Sequence, residues 1–360
     1  MLRKNATQHM VCLRKIIAVL WVMLSATACI SPIENVVLPT PVHSIQEYTP
    51  TTTSTPVPTV MPTPTINPLV TLTPTPDPFM DLYLESLKFR SYGGGVLQDE
   101  GNLNGAEGFS RKLFKYRSEG LDLYGFINIP DGDGPFPIII LLHGYVDREG
   151  YNTIGYSARY ADALVKEDFI TIHPNLRGYA PSRNGENILG IGDTVDILNL
   201  TALVRQQSGS AGLLEKADAD RIGLWGHSMG GSIVMRVLIV DREINGGLLY
   251  ASIHSNEEFN LSHFEKDGRG IEKVIAPASA LAEMSPSNYL SEISSPISIH
   301  HGGLDNVVPI EWSRNLCETL TEIGKEVQCR EYPDQPHTFQ NSGDTNFINN
   351  MIDFFDEYVK

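Results

Sequence analysis

Residues 221–231, Arg221-Ile-Gly-Leu-Trp-Gly-His-Ser-Met-Gly-Gly231, leave the chain few folds to choose from. Ile222 to Trp225 reads as a short buried strand. Gly226-His-Ser-Met-Gly230 follows with the spacing G-x-S-x-G, and the apolar run after Gly231 reads as a buried helix. A strand, a five-residue turn and a helix make the context in which such a serine becomes a nucleophile. A turn this sharp strains the backbone of Ser228 and requires small neighbours two positions away on either side, and both are glycine. The first turn of the following helix leaves the Met229 N–H without an intrahelical acceptor, free to face a developing oxyanion.

The amino-terminal end reads as an address followed by a tether. Arg3, Lys4, Arg14 and Lys15 precede the apolar run Ile16 to Leu24, and small residues lead to Cys29, the layout of a secretory signal over residues 1–28. The apolar run falls short of the roughly 20 residues that span a bilayer. Ala26-Thr-Ala-Cys29 resembles a bacterial lipobox, with Ala26 departing from the usual leucine. It implies lipidation of Cys29; ordinary cleavage near Ala28 and secretion is the other reading. Within residues 29–78, proline and threonine dominate from about Leu38, a composition that builds no core and favours an extended stalk. The expected location is extracytoplasmic, held to a membrane by that lipid alone or else released.

Residues 79–360 suit one large α/β domain. With 43 acids against 27 bases, and four of those bases in the leader, the chain is expected to bind neither nucleic acid nor anionic lipid by charge. Cys317 falls on an expected helix (Ile310 to Ile323) and Cys329 on the next strand (Glu326 to Tyr332). Export makes a disulfide between them reasonable, while two separate buried thiols remain the alternative. Their spacing does not suggest a metal site.

Lys112 to Arg117 and Leu121 to Ile129 alternate as a hairpin. Pro137 to Leu142 is apolar without alternation, as in a strand covered on both faces. Strands at Phe169 to His173, Leu248 to Ile253 and Pro296 to His300 alternate with helices, notably Asp193 to Gln207, read as amphipathic, and Asn346 to Tyr358. This rhythm predicts a mostly parallel central sheet flanked by helices. The polar stretch 255–290 reads equally as a small lid or as a long connection.

A serine nucleophile needs a base for its proton and a carboxylate to orient that base. Asp305 follows one late strand and His337 follows the next, so the order along the chain is serine, acid, histidine, at strand ends where such sites form. His227, His254, His300, His301 and Asp334 are poorer candidates by position, and Arg177 reads as a loop-ordering ion-pair partner. His143-Gly144 opens the turn after the central strand, which makes the Tyr145 N–H the expected second oxyanion donor beside that of Met229.

The residues carrying these roles resemble the α/β-hydrolase superfamily, and within it the branch of the prolyl-oligopeptidase catalytic domain and dienelactone-hydrolase-like esterases. The likeness rests on Leu141-Leu-His-Gly-Tyr145, Asn175-Leu-Arg-Gly178, Gly226 to Gly231, Ser285 to Leu290, His301 to Pro309 and Pro336-His337. It implies the α/β-hydrolase fold and a serine hydrolase that needs no metal or cofactor. The substrate is expected to be a small carboxylic ester, with short peptides cleaved from one end as the alternative. An inactive fold serving as a tethered binding domain is a third reading, against which the complete triad argues. The oligomeric state is not legible, and there is no room for a β-propeller over the site.

Overall fold

Phe136–Leu142 (β4) lies at the centre of the fold because its side chains are apolar on both faces. Ile138, Ile140 and Leu142 enter one core, Ile139 and Leu141 the other. The computed structural model describes residues 76–105, 107–265 and 275–360. The signal, Cys29 and the proline–threonine stalk lie outside the described residues.

The described residues belong to one compact unit. The strands are Gln98–Leu103 (β1), Phe109–Ser118 (β2), Leu121–Pro130 (β3), β4, Ile170–Pro174 (β5), Ala217–His227 (β6), Gly246–Tyr250 (β7), Ile297–Gly302 (β8) and Val327–Tyr332 (β9). They form a sheet in the order β1-β2-β3-β5-β4-β6-β7-β8-β9. β1 to β3 are antiparallel, β3 meets β5 antiparallel, and every pairing from β5 through β4 to β9 is parallel. The chain has the α/β-hydrolase fold. Ser118 pairs with Leu121, so Glu119 and Gly120 alone make the hairpin turn, both at positive φ as a type I′ turn requires.

Leu84–Lys88 (α1), Ile191–Gln207 (α3), Met229–Val240 (α4) and Ile310–Glu322 (α7) contribute to the first core; Ala158–Val165 (α2) and Asn341–Tyr358 (α8) contribute to the second. Each fully buried Ile or Leu stabilises the domain by about 1.5–3 kcal/mol relative to exposure. α3 departs from the amphipathic expectation. Its polar residues Asp193, Thr194, Asp196, Asn199 and Thr201 are buried along with its apolar ones. The burial is tolerated because Arg177 crosses onto it, with Nε 2.8 Å from Asp196 Oδ2 and Nη2 2.6 Å from Oδ1. Arg177 is thus an ion-pair partner, reaching Glu119 as well. Stretch 255–290 contains two short helices, Glu257–Phe264 (α5) and Ala278–Met284 (α6), on either side of the undescribed residues 266–274. Among the described residues, no helix is long and apolar enough to cross a membrane.

Candidate active site

β6 delivers Ser228 directly into α4. Its backbone stands at φ 55°, ψ −117°, a conformation costing a β-carbon-bearing residue on the order of 1–3 kcal/mol. The surrounding chain over-determines that geometry. Ser228 N–H donates to the Tyr250 carbonyl at 2.9 Å, and the Ser228 carbonyl accepts from Gly231 N–H at 3.0 Å and Ile253 N–H at 3.2 Å. A β-carbon on Gly226 would collide with the Gly230 backbone, and one on Gly230 with the carbonyl oxygen of Leu142. These approaches are the physical reason for both glycines.

The parallel strands bring two further loops to the same sheet edge. Asp305 follows β8 and His337 follows β9, and His337 Nδ1 lies 2.7 Å from Asp305 Oδ2. The other carboxylate oxygen accepts from Val307 N–H at 2.8 Å and Val308 N–H at 2.9 Å. His301 Nε2 adds a contact to Oδ2 at 3.1 Å. Burial pushes the Asp305 carboxyl up, but the hydrogen bonds from His301 and His337 outweigh it and hold the group below the ordinary carboxylate range. A carboxylate at Nδ1 requires the proton there, which leaves His337 Nε2 as an acceptor. No hydrogen bond joins the Ser228 hydroxyl to His337; such contacts commonly tighten only when substrate binds.

The turn after β4 is fixed by His143, fully buried, whose Nδ1 donates to the Gly144 carbonyl at 2.7 Å while Nε2 accepts from Leu176 N–H at 3.2 Å. Burial lowers this imidazole to about 4, so it stays neutral at working pH. Among the described residues, neither the Tyr145 N–H nor the Met229 N–H has an acceptor. Both residues line one cleft of about 400 Å³. Tyr179, Leu189, Ile233 and Ile253 give it apolar walls, and Glu257 and Asn260 of α5 form one side, so part of stretch 255–290 faces the cleft.

The buried acids of this cleft are already engaged. Glu257 pairs with Arg236 and accepts from Asn260 Nδ2 at 3.2 Å. Asp193 accepts from Arg177 N–H at 3.2 Å and Asn187 Nδ2 at 2.6 Å. Burial, reinforced by Asp196, raises Asp193 to about 7.

The other histidines take the following places. His254 stacks on Phe259 at 4.5 Å. His300 bridges Ser298 and Tyr332. His301 backs Asp305, a role that its position before the acid did not suggest. His227 turns away from Ser228 and reaches the His337 carbonyl with Nε2 at 3.0 Å, while Tyr156 meets its Nδ1. Tyr156 did not stand out in the sequence, and His227 was weighed only as a poorer base, because nothing local links His227 to a residue 110 positions on. Asp334 is exposed and makes no side-chain bond to His337. Cys317 on α7 and Cys329 on β9 are joined in a disulfide with their Cα atoms 6.4 Å apart. Among the described residues, no three His, Cys, Asp or Glu side chains are grouped to hold a metal.

Residues 156–360 match the model of the prolyl oligopeptidase family. The uncharacterized peptidase YuxL of Bacillus subtilis is 23% identical over 150 residues, 39% of this chain and 23% of that protein. The Pyrococcus horikoshii acylaminoacyl peptidase superposes with a TM-score of 0.59 at 21% identity, covering 71% of this chain and 42% of the peptidase. Acetyl xylan esterase 1 from Thermoanaerobacterium sp. JW/SL YS485 superposes with a TM-score of 0.56 at 15% identity, over 78% of this chain and 94% of the esterase. The chain thus spans less than half the length of these two peptidases.

Proposed function

This chain belongs to the prolyl oligopeptidase family and is a serine hydrolase, and from that premise we propose that it cleaves small carboxylic esters outside the cytoplasm. The observation that carries the reading is the 2.7 Å contact of His337 with Asp305 at the strand ends beside a strained Ser228. In this account His337 Nε2 takes the Ser228 proton as Oγ attacks the ester carbonyl carbon. The N–H groups of Met229 and Tyr145 donate to the oxyanion. As the tetrahedral adduct collapses, the alkoxide leaves with the proton from His337. Water then attacks the acyl-enzyme, giving its proton to His337, which returns it to Ser228 as the acid departs.

Ester is favoured over peptide by the state of the cleft. An exopeptidase that holds a free amino terminus needs an available carboxylate, but Glu257 is paired with Arg236 and Asp193 is raised to about 7. The acetyl xylan esterase, matched over nearly its whole length, agrees with that preference. Export is supported by the leader pattern and by the Cys317–Cys329 disulfide, which persists in oxidising compartments. Lipidation at Cys29 would hold the domain at a membrane surface on the proline–threonine stalk.

The test is a panel of nitrophenyl esters of rising acyl length beside aminoacyl nitroanilides. Turnover concentrated on short acyl esters is expected. Anilide turnover that matches or exceeds ester turnover would move the protein to the peptidase class.

A further inference from the structure

Resting on the serine-hydrolase reading, we propose that Tyr156 and His227 form a strut that positions the general base by holding the backbone of His337 against the neighbour of the nucleophile. His227 immediately precedes Ser228, and its Nε2 lies 3.0 Å from the His337 carbonyl oxygen. A carbonyl oxygen only accepts, so Nε2 carries the proton. Nδ1 of the neutral ring is then an acceptor, and the Tyr156 hydroxyl donates to it. The tautomer follows from the partners, and with it the direction of both hydrogen bonds.

Burial, together with the nearby His337, lowers His227 to about 3, so the ring stays neutral. Burial likewise raises the Tyr156 hydroxyl, which keeps its proton. The strut is therefore constant across working pH.

The surroundings show that it bears on the active site. The His227 and His337 rings lie 4.7 Å apart, so the strut controls both the carbonyl and the face of the base. Two residues on, the Phe339 N–H donates to the Tyr250 hydroxyl, and the Tyr250 ring lies 4.2 Å from His227. The loop carrying the base is thus pinned at its histidine and again two residues after it. At the other end of the strut, the Tyr156 hydroxyl packs on Gly144. A β-carbon there would come within 2.6 Å of that oxygen and 3.0 Å of Ser228 Cβ. One hydroxyl and one imidazole thus connect the oxyanion turn, the elbow and the base loop. Neither touches the reacting atoms, so both act as positioning residues.

His227→Phe keeps a ring between Tyr250 and His337 but removes the donor to the His337 carbonyl. His227→Gln restores an amide N–H at a reach close to that of Nε2. With a short nitrophenyl ester, His227→Phe is expected to lower kcat about tenfold, the rate equivalent of one lost hydrogen bond, with KM within about twofold. His227→Gln is expected to regain most of that loss, which a residue serving only to fill space would not do. Tyr156→Phe leaves His227 in place and releases its tautomer; a kcat loss of about threefold or more at unchanged KM is expected, and this variant decides the matter should His227→Phe fail to fold. Unchanged kcat in both His227→Phe and Tyr156→Phe, or a glutamine no better than phenylalanine, overturns the strut. Wild-type turnover that survives Ser228→Ala would instead overturn the nucleophile assignment on which the strut rests, so the two failures are told apart.

Discussion

His301 Nε2 stands 3.1 Å from Asp305 Oδ2, the oxygen that also accepts from His337 Nδ1 at 2.7 Å. A second imidazole on one carboxylate oxygen, with Val307 and Val308 N–H groups on the other, keeps Asp305 ionised and aimed.

Asp305→Asn therefore changes more than charge. Its amide NH2 would face two ring N–H donors, and relief comes when His337 moves its proton to Nε2, where it cannot accept from Ser228. Ester turnover is expected to fall by on the order of 10³–10⁴, with the far-UV circular dichroism unchanged. The pH dependence follows from the sign of the shift. A carboxylate whose folded pKa is depressed contributes stability above its unfolded value, near 3.9, and loses it only as pH falls through the folded value. Asp305 should thus stay ionised down to about pH 4. A carboxyl carbon-13 signal of Asp305 that titrates above about pH 4 would contradict this account.

Gly230→Ala is expected to fail for a steric reason. The added carbon meets the backbone carbonyl of Leu142, at the end of the central strand, and no side-chain rotation relieves it. A loss of about 3 kcal/mol or more, or no folded protein, is expected in urea unfolding. Gly150→Ala, where nothing lies within 4 Å, should stay within about 0.5 kcal/mol. Equal stability of the two variants would contradict the packing described for the elbow.

Much of this arrangement was legible in the sequence, and the parts that were not have physical reasons. Strand β4 and the second half of β6 announce themselves because burial on both faces demands continuous apolar residues, and the elbow because the close approach at Gly226 and Gly230 admits only glycine. β1 (Gln98–Leu103) escaped the reading because it is an exposed edge strand with polar side chains and no apolar period. The buried polar face of α3 escaped because its partners lie on other segments, Arg177 and Asn187 for the two aspartates and Ser118 for Asn199. Residues 151–156, just before helix α2, gave no signal of their own because their bonds reach distant strands. Tyr151 bonds His173 and Asn175, and Tyr156 bonds His227. Such long-range bonds leave no local period to read.

The disulfide closes a short loop between neighbouring elements, with a sequence separation of 12. Cross-linking a loop of that size removes about 3 kcal/mol of unfolded-state entropy. The double variant Cys317→Ser/Cys329→Ser should unfold at a lower urea concentration by a comparable free energy. Its kcat at 25 °C should be unchanged, because neither sulfur lies in the cleft. A kcat loss as large as the stability loss would show that the α7–β9 join supports the site directly.

The central claim is that Ser228 is the nucleophile, and covalent capture tests it most directly. The protein is treated with a fluorophosphonate and digested, and the modified peptide is identified by mass spectrometry, with Ser228→Ala beside it. The account predicts one stoichiometric adduct on Ser228, loss of ester turnover in step with labelling, and neither label nor turnover in the alanine variant. Turnover that persists in Ser228→Ala, or stoichiometric labelling at another residue, would contradict it.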